Sequence, residues 1–160
     1  MLVRAAHSGD SEACAAIYAP FVTDSWVSFE AAPPDAQEMA QRIADYSASH
    51  AWLVAETDGK IAGFAYGSQH RSRMAYASSC DVTVYAAPEY ARQGVGRALY
   101  AELLPQLARK YHAAFAGIAL PNPASVALHE AAGFTLVGIY REVGFKLGEW
   151  RDVGWWQRLL

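Results

Sequence analysis

A glycine-rich turn flanked by arginines is the part of this sequence best suited to holding a charged ligand. An alternating apolar run from Asp81 to Ala86 precedes the turn, and leucines spaced four residues apart follow it, which predicts a strand before the turn and a helix after it. The first N–H groups of a helix lack an internal acceptor and carry partial positive charge, so they attract anions. We therefore predict a phosphate-binding turn made of Arg92, Gln93, Gly94, Val95, Gly96 and Arg97.

Three kinds of phosphate-binding turn differ in the residues that they require. A nucleotide-triphosphatase loop ends in Gly-Lys followed by Ser or Thr, which this turn lacks. A dinucleotide turn directly follows its strand, has a third glycine and is followed about 20 residues later by an acid. Here residues 87–91 intervene, Leu99 occupies the third glycine position, and residues 114–118 hold no acid. A coenzyme A turn fits, and a plain helix start is the alternative that the glycines alone leave open.

Composition limits the class of protein. The chain has 160 residues, of which 53% are hydrophobic, and a net charge of -3, which predicts one folded domain over residues 1–160 and disfavours nucleic acid as a partner. The sequence shows no signal-peptide pattern and no apolar run long enough to span a bilayer, so we expect a cytoplasmic protein with no membrane partner. Cys14 and Cys80 lack metal-ligand spacing, so no metal is expected.

The elements that must position the turn form a mixed α/β pattern. Strands are predicted at residues 2–5, 51–56, 60–66, 81–86, 115–120, 134–141 and 150–159, and residues 26–29 are a strand or an extended loop. Helices are predicted at residues 10–21, from Asp35, from Val95 with a kink or break at Pro105, and from residue 123 to 133. The strand, helix and strand between residues 81 and 120 form a crossover unit, so the two strands should be parallel, with the turn at the carboxyl end of the first.

Two sequence motifs carry a resemblance to a known superfamily. The run from Asp81 to Arg97 resembles motif A of the GNAT N-acetyltransferases, and the run from Asn122 to Phe134 resembles their motif B. Residues 144–153, residues 71–76 and the pair Phe29-Glu30 resemble one branch, the phosphinothricin and methionine sulfoximine N-acetyltransferases. The likeness covers nearly the whole chain. It implies a three-layer α/β/α sandwich whose central sheet is mixed, mostly antiparallel, and contains a splayed pair of parallel strands.

The resemblance also implies the reactants. Acetyl-CoA would be the donor, the α-amine of a small amino acid or amino-acid analogue would attack it directly, and the protein would be a homodimer without a metal. The turn from Arg92 to Arg97 would hold the pyrophosphate, and Asn122 would reach the thioester end of the donor. The other implied donor contacts are Val84, Tyr85 and Ala86. The implied substrate contacts are Phe29, Glu30, Arg71, Ser72, Arg73, Met74 and Val82.

Proton transfer requires a base for the ammonium group and an acid for the leaving thiolate. Asp81 is the candidate base, although an aspartate with a pKa of about 3.9 is weak in that role unless it is buried or acts through water. His129 is the candidate acid, because the ordinary pKa of histidine, about 6.5, lies below that of a thiol, about 8.5. Asp81 could instead satisfy backbone groups, and His129 could be a satisfied helix residue. His7, His50, His70 and His112 show no partner pattern and are expected at the surface.

Two nearby arginines are the main candidates for binding the acceptor substrate. Arg71 and Arg73 are two residues apart, so in extended chain they share one side and could bind a carboxylate or a phosphinate-like group. Solvated surface arginines are the alternative. Glu30 could hold the substrate ammonium group, and Phe29 could form a wall of the site.

The sequence departs from the superfamily pattern at three positions. Ala91 stands where the turn usually begins with Gln or Arg, Asp81 is one methylene shorter than the usual glutamate of the branch, and His129 replaces the tyrosine of most members. Two other functions stay open. One is acetylation of a different amine, such as a polyamine, an aminoglycoside or a protein N-terminus, and the other is a non-catalytic acyl-CoA-binding module.

Overall fold

A mixed sheet of seven strands is the middle layer of the protein, in a computed structural model that describes residues 1–160. The strands lie in the order β1-β2-β3-β4-β5-β7-β6, and β4 with β5 is the only parallel pair. Their bounds are β1 (Leu2–Ala5), β2 (Trp52–Thr57), β3 (Lys60–Gln69), β4 (Ser79–Ala86), β5 (Ala113–Ala119), β6 (Thr135–Lys146) and β7 (Glu149–Leu159). The predicted mixed, mostly antiparallel sheet is therefore confirmed.

Helices cover both faces of this sheet, because apolar side chains alternate along the strands and point to both sides. The helices are α1 (Ser11–Thr23), α2 (Ala36–Ser49), α3 (Val95–Leu107) and α4 (Pro123–Ala131). Apolar residues of α1 and α2 pack with Trp52, Val54 and Phe64 on one face. Leucines of α3 pack with Leu53 and Cys80 on the other. The three-layer α/β/α sandwich is confirmed.

Side-chain caps fix where two of the helices begin. The Glu38 N–H donates to the Asp35 carboxylate at 2.8 Å at the start of α2, and the Ser125 N–H donates to the Asn122 side chain at 3.1 Å at the start of α4. None of the helices is long and apolar enough to cross a membrane.

Of the kink or break predicted at Pro105, the break does not occur. Helix α3 runs through Pro105 and ends at Leu107. Proline removes one hydrogen bond, but Leu103, Leu104 and Leu107 are all buried around it, and that burial holds the last turn in place.

The structure also decides one strand prediction and lengthens another. Of the strand or extended loop predicted for residues 26–29, the loop is what forms, between α1 and α2. Strand β3 extends to Gln69 instead of ending near Tyr66, because Ser68 and Gln69 pair with Asp81 and Cys80 of β4. The longer strand brings His70 to the neighbourhood of Asp81.

Candidate active site

The turn before α3 presents unpaired backbone N–H groups. Gly94 has a φ of 81° and Arg92 a φ of 62°, both left-handed, and the first helical hydrogen bond runs from the Ala98 N–H to the Gly94 carbonyl. The N–H groups of residues 94–97 therefore have no acceptor within the chain. The exposed guanidinium groups of Arg92 and Arg97 lie in the same turn. This arrangement can bind a pyrophosphate.

The two glycines of the turn serve different purposes. A Cβ atom on Gly94 would meet nothing within 4 Å, so this residue leaves the backbone open to a ligand. A Cβ atom on Gly96 would lie 2.6 Å from Cδ2 of Leu128, so Gly96 allows α3 to pack closely against α4. Of the two glycines, only Gly94 leaves open space beside the backbone.

Strand β4 separates from β5 soon after it begins. Pairing is confined to Ser79–Asp81 with Ala113–Phe115. The Ala87 N–H donates to the Ala62 carbonyl of β3 at 2.9 Å, and hydrogen-bonding direction alternates along a strand, so the main chain of Val84 and Ala86 faces away from β3. Those groups line one side of the split between the strands.

The opposite side of the split belongs to β5. The Leu120 N–H donates to the Asp152 carbonyl at 2.9 Å, which fixes the even-numbered residues as the ones that bond to β7. The main chain of Gly117 and Ala119 therefore faces β4 across the split. A narrow ligand with amide groups could hydrogen-bond to both rows. The predicted splayed pair of parallel strands is confirmed.

Alternation along β4 turns the side chains of two of the predicted contact residues toward the interior. Val82 is buried in the core beneath α3, on the face opposite Asp81, so its side chain does not line the acceptor site. The ring of Tyr85 packs against Tyr18 and Phe21 of α1, with centroid separations of 4.9 Å, instead of facing the split. Both residues support the site from the core.

Asn122 is partly committed to its own helix. Its side-chain oxygen accepts from Ser125 as the cap of α4, and its amide nitrogen has no partner within the chain. That nitrogen is the atom with which Asn122 could donate to the thioester end of a donor.

Asp81 is paired with His70. The two side chains meet at 2.6 Å, from Nδ1 of His70 to Oδ1 of Asp81, and they are 13% and 26% exposed. Burial raises the pKa of Asp81, while the hydrogen bond and charge of His70 oppose that shift. The surface position expected for His70 is wrong. Its alignment depends on the end of β3, where Gly67, Ser68 and Gln69 give little strand signal.

Phe29 and Glu30 lie on the loop between α1 and α2, against the hairpin of β6 and β7. The Phe29 ring covers Gly144, where a Cβ atom would lie 2.3 Å from Cε2. The Lys146 ammonium donates to the Glu30 carbonyl at 2.6 Å, and the Arg151 guanidinium lies 4.6 Å from the centroid of Trp26. The loop is thus held to the hairpin by polar and cation–π contacts.

The carboxylate of Glu30 is not free. It binds the Arg42 guanidinium through two hydrogen bonds of 2.6 and 3.2 Å. Burial tends to raise the pKa of Glu30, but the hydrogen bonds from Arg42 and Tyr18 outweigh burial and lower it. A substrate ammonium group would have to share this carboxylate with Arg42, which weakens the predicted role of Glu30.

The remaining predicted substrate contacts form an exposed loop between β3 and β4. A cleft of about 530 Å³ is lined by His70, Arg71, Ser72, Arg73 and Tyr76. Met74 extends away from the sheet and is 86% exposed. A second cavity, of about 570 Å³, adjoins the same loop beside α2, but it contains neither His70 nor Asp81. Of these two cavities, the cleft of about 530 Å³ is therefore the one that contains the His70 imidazole.

His129 is buried and satisfied on both ring nitrogens. Its Nε2 lies 2.8 Å from the Tyr100 hydroxyl, and its Nδ1 lies 2.7 Å from the Ser125 carbonyl. Burial lowers the pKa of His129, opposed by the bond to Ser125. The argument for an easily protonated acid is therefore wrong in direction, because the site favours neutral imidazole. A bond to Ser125 also assigns the ring proton to Nδ1.

Similarity to a protein family and to named relatives extends along most of the chain. The model described as an acetyltransferase (GNAT) domain matches residues 3–155. The chain belongs to the GNAT acetyltransferase family. It is an N-acetyltransferase that uses acetyl-CoA. A phosphinothricin N-acetyltransferase from Alcaligenes faecalis is 42% identical over 99% of this chain and 82% of its own length. A methionine sulfoximine and methionine sulfone acetyltransferase from Salmonella typhimurium is 34% identical over 66% of this chain and 62% of its own length.

Solved structures resemble this GNAT acetyltransferase along its whole length. A phosphinothricin acetyltransferase from Sinorhizobium meliloti in complex with acetyl-CoA has a TM-score of 0.95 at 33% identity, over 99% of this chain and 88% of that one. A ribosomal-protein-alanine N-acetyltransferase from Brucella melitensis has a TM-score of 0.96 at 33% identity, over the full length of both chains.

Replacing Gly94 with valine should weaken acetyl-CoA binding. The residue has a φ of 81° with open space around its Cα atom, so a branched side chain there would project over the free N–H groups of the turn. We expect a loss of about tenfold or more in affinity, equivalent to about 1.4 kcal/mol, measured by calorimetry.

Gly59→Val is the matched control for this change. Gly59 has a φ of 73°, also has nothing within 4 Å, and lies in the turn between β2 and β3. It carries the same backbone strain away from the turn, so its affinity for acetyl-CoA should equal that of the wild type. Equal affinity in all three proteins would contradict the assignment of the turn.

The buried state of His129 predicts a pH dependence of stability. Below the ordinary histidine pKa of about 6.5, the unfolded chain takes up a proton that folded His129 resists, so the free energy of unfolding falls as the pH falls. Urea unfolding between pH 7 and pH 5 should show this fall in the wild type and a smaller one in His129→Gln.

His112→Gln is the control, since His112 is exposed and the full fall should remain. Burial also lowers the pKa of His50, which would produce the same trend and accounts for any fall that persists in His129→Gln. A pH trend identical in wild type and His129→Gln would show that His129 titrates normally.

Proposed function

We propose that this GNAT acetyltransferase transfers an acetyl group to the α-amine of a small amino acid or analogue of the phosphinothricin or methionine sulfoximine and sulfone type. The observation that carries the proposal is the placement of Arg71 and Arg73, without partners, in one cleft with His70. Their guanidinium groups suit an α-carboxylate together with an anionic or dipolar side chain.

The pattern of arginine pairing supports both ligand sites. Arg4, Arg42, Arg141, Arg151 and Arg158 all donate to acceptors within the chain. The guanidinium groups without an acceptor are those of Arg71, Arg73, Arg92, Arg97 and Arg109. Four of these five belong to the predicted acceptor loop and the predicted phosphate turn. Unpaired guanidinium groups concentrated at two places are suited to two anionic ligands.

The proposed reaction is direct attack of the amine on the thioester. The turn before α3 holds the pyrophosphate, and the edges of β4 and β5 hold the acyl arm, whose thioester points toward the start of β4. Asp81 and His70 provide the base. A covalent route through Cys80 is unsuited, because burial, together with the charge of Asp81, raises the pKa of that thiol to about 12.

The names of the relatives support the same class of acceptor. One of them also supports the alternative of a protein N-terminus as acceptor. Two of the similar proteins reported above are named for phosphinothricin and one for methionine sulfoximine and sulfone. The Brucella protein is named for the alanine of a ribosomal protein. In a protein N-terminus the α-carboxylate is part of a peptide bond, so the paired arginines would lack that partner.

A panel of acceptors tests the proposal through release of free thiol from acetyl-CoA. We expect release with phosphinothricin, methionine sulfoximine and methionine sulfone, and little with polyamines, aminoglycosides or an alanine-terminated peptide. Changing both Arg71 and Arg73 to glutamine should raise KM for the acceptor about tenfold or more, since a charge-assisted bidentate contact is lost.

Arg109→Gln is the matched control, because Arg109 also lacks an acceptor but lies after α3, outside the cleft. It should leave KM unchanged. If acetyl-CoA binds measurably but none of the amines causes release of free thiol, the non-catalytic binding module would be favoured. Efficient release with the peptide alone would favour the protein N-terminus.

We further propose that the chain works as one domain in the cytoplasm. The sheet and the helices on both of its faces involve residues from both ends of the chain. Cys14 and Cys80 are both free and buried, as is common for proteins of a reducing compartment.

A homodimer is proposed from the distribution of exposed apolar side chains. Strand β6 is an edge of the sheet, and the β6–β7 hairpin exposes Leu136, Val137, Tyr140, Val143, Phe145, Leu147 and Trp150, each by more than half. A long, apolar edge strand with such a surface is suited to covering by a second copy.

Sedimentation should give twice the 17.4 kDa chain mass for the wild type and a single chain mass for Phe145→Asp combined with Trp150→Asp. Leu2→Asp is the control, since Leu2 is 60% exposed at the opposite edge of the sheet. It should stay dimeric. A monomeric wild type at high concentration would contradict the proposal.

A further inference from the structure

The imidazole of His70 is held in one orientation by its neighbours. Its ring is stacked on Phe115, with centroids 4.4 Å apart and planes 18° apart. The edges of Tyr76 and Trp155 approach it with centroid separations of 6.0 and 6.1 Å. The hydrogen bond of 2.6 Å from Nδ1 to Asp81 then fixes the rotation of the ring. A side chain packed in this way is preorganised for one task.

The two nitrogens of this ring differ in surroundings. Nδ1 faces the Asp81 carboxylate, so it carries the proton and Nε2 carries the lone pair. Nε2 has no hydrogen-bond partner within the chain. It is also not fully buried, because it is absent from the set of buried side-chain atoms that lack a partner. His70 lines the cleft with Arg71 and Arg73, whereas Asp81 does not. The group that meets a ligand in the cleft is therefore the imidazole.

We propose that Nε2 of His70 accepts the proton of the acceptor ammonium group, with Asp81 as the positioning carboxylate behind it. This assignment rests on the proposed function, since it names the base of that reaction. A neutral imidazole is a far better proton acceptor near neutral pH than an ordinary carboxylate. A buried carboxylate on the opposite nitrogen stabilises the imidazolium that forms.

One proton passes from the ammonium group to Nε2, and the freed nitrogen lone pair attacks the thioester carbonyl carbon to form the C–N bond. The C–S bond then breaks, and its electron pair leaves on sulfur. A second proton moves from the nitrogen to that thiolate, which gives the amide and free coenzyme A. Imidazolium releases its proton to solvent and returns to the neutral form.

His70→Gln is the central variant, because glutamine keeps polarity but accepts no proton. With an amino-acid acceptor, kcat should fall about 100-fold to 10,000-fold, while affinity for acetyl-CoA measured by calorimetry stays unchanged. With the corresponding aminooxy acid, whose O–NH₂ group is uncharged at neutral pH, no proton has to be removed before attack. The loss should then be at least about tenfold smaller.

His112→Gln is the matched control, since it makes the same substitution at an exposed histidine outside the cleft, and its kcat should equal that of the wild type. Asp81→Asn should lower kcat for the amino acid as well, and combining it with His70→Gln should cause no further loss, because the two groups act as a unit.

Nitrogen NMR of the wild type gives a second measurement that needs no variant. The His70 ring should show a proton on Nδ1 and a lone pair on Nε2 at neutral pH. A proton on Nε2 instead, equal kcat in wild type and His70→Gln, or equal losses with the amino acid and the aminooxy acid would each overturn the assignment. Those results would leave the proposed function intact if the wild type releases thiol with the amino acid, whereas a wild type inactive with every amine would remove both.

Discussion

The separation of β4 from β5 after three paired residues is the constraint on which the site depends. In a continuous sheet, the facing N–H and C=O groups of these strands would satisfy one another. Here they need another partner, because an unmet backbone group that loses water costs about 1–3 kcal/mol. The amide groups of the coenzyme A arm match that requirement. The same geometry sets direction, since the free N–H groups before α3 lie beyond the carboxyl end of β4 and Asp81 lies toward its beginning.

Charge follows the same axis. Arg92 and Arg97 stand at the end proposed for the phosphates, and Arg71 and Arg73 stand at the end proposed for the acceptor, all without internal partners. The carboxylate of Asp81 lies in the sheet between those ends, buried and bonded to an imidazole. In the proposed reaction, two anionic ligands would be attracted from opposite ends toward the centre at which the proton is removed. The shorter side chain of aspartate suits this centre, because an imidazole occupies the space in front of it.

Much of this could be predicted from the sequence, because the signals were local. The turn at Gly94 follows a β-branched strand and precedes a helix, and Asp35 and Asn122 sit at ordinary capping positions. Elements whose placement depends on distant residues were less accessible. His70 lies beside Asp81 only because β3 continues past Gly67. Val82 is named among the substrate contacts, although strand alternation places its side chain in the core on the face opposite Asp81.

The sequence pattern also cannot predict where tertiary packing outweighs a local preference of the chain. Burial of its leucines allows α3 to continue through Pro105. The small size of Gly96 makes room for Leu128 on another helix. The environment of His129 depends on the Tyr100 hydroxyl, 29 positions earlier in the chain. In each case the missing information was a tertiary neighbour, which no spacing within one segment reveals.

The loop that carries Phe29 is held at Glu30 by two different parts of the molecule. Arg42 of α2 donates to the Glu30 carboxylate, and Lys146 of the hairpin donates to the Glu30 backbone carbonyl. The same hairpin carries Gly144, which the Phe29 ring covers. A second copy on the outer edge of this hairpin, as proposed above, would act on the strand that also supports the loop, so dimerisation and the position of the Phe29 ring would be linked.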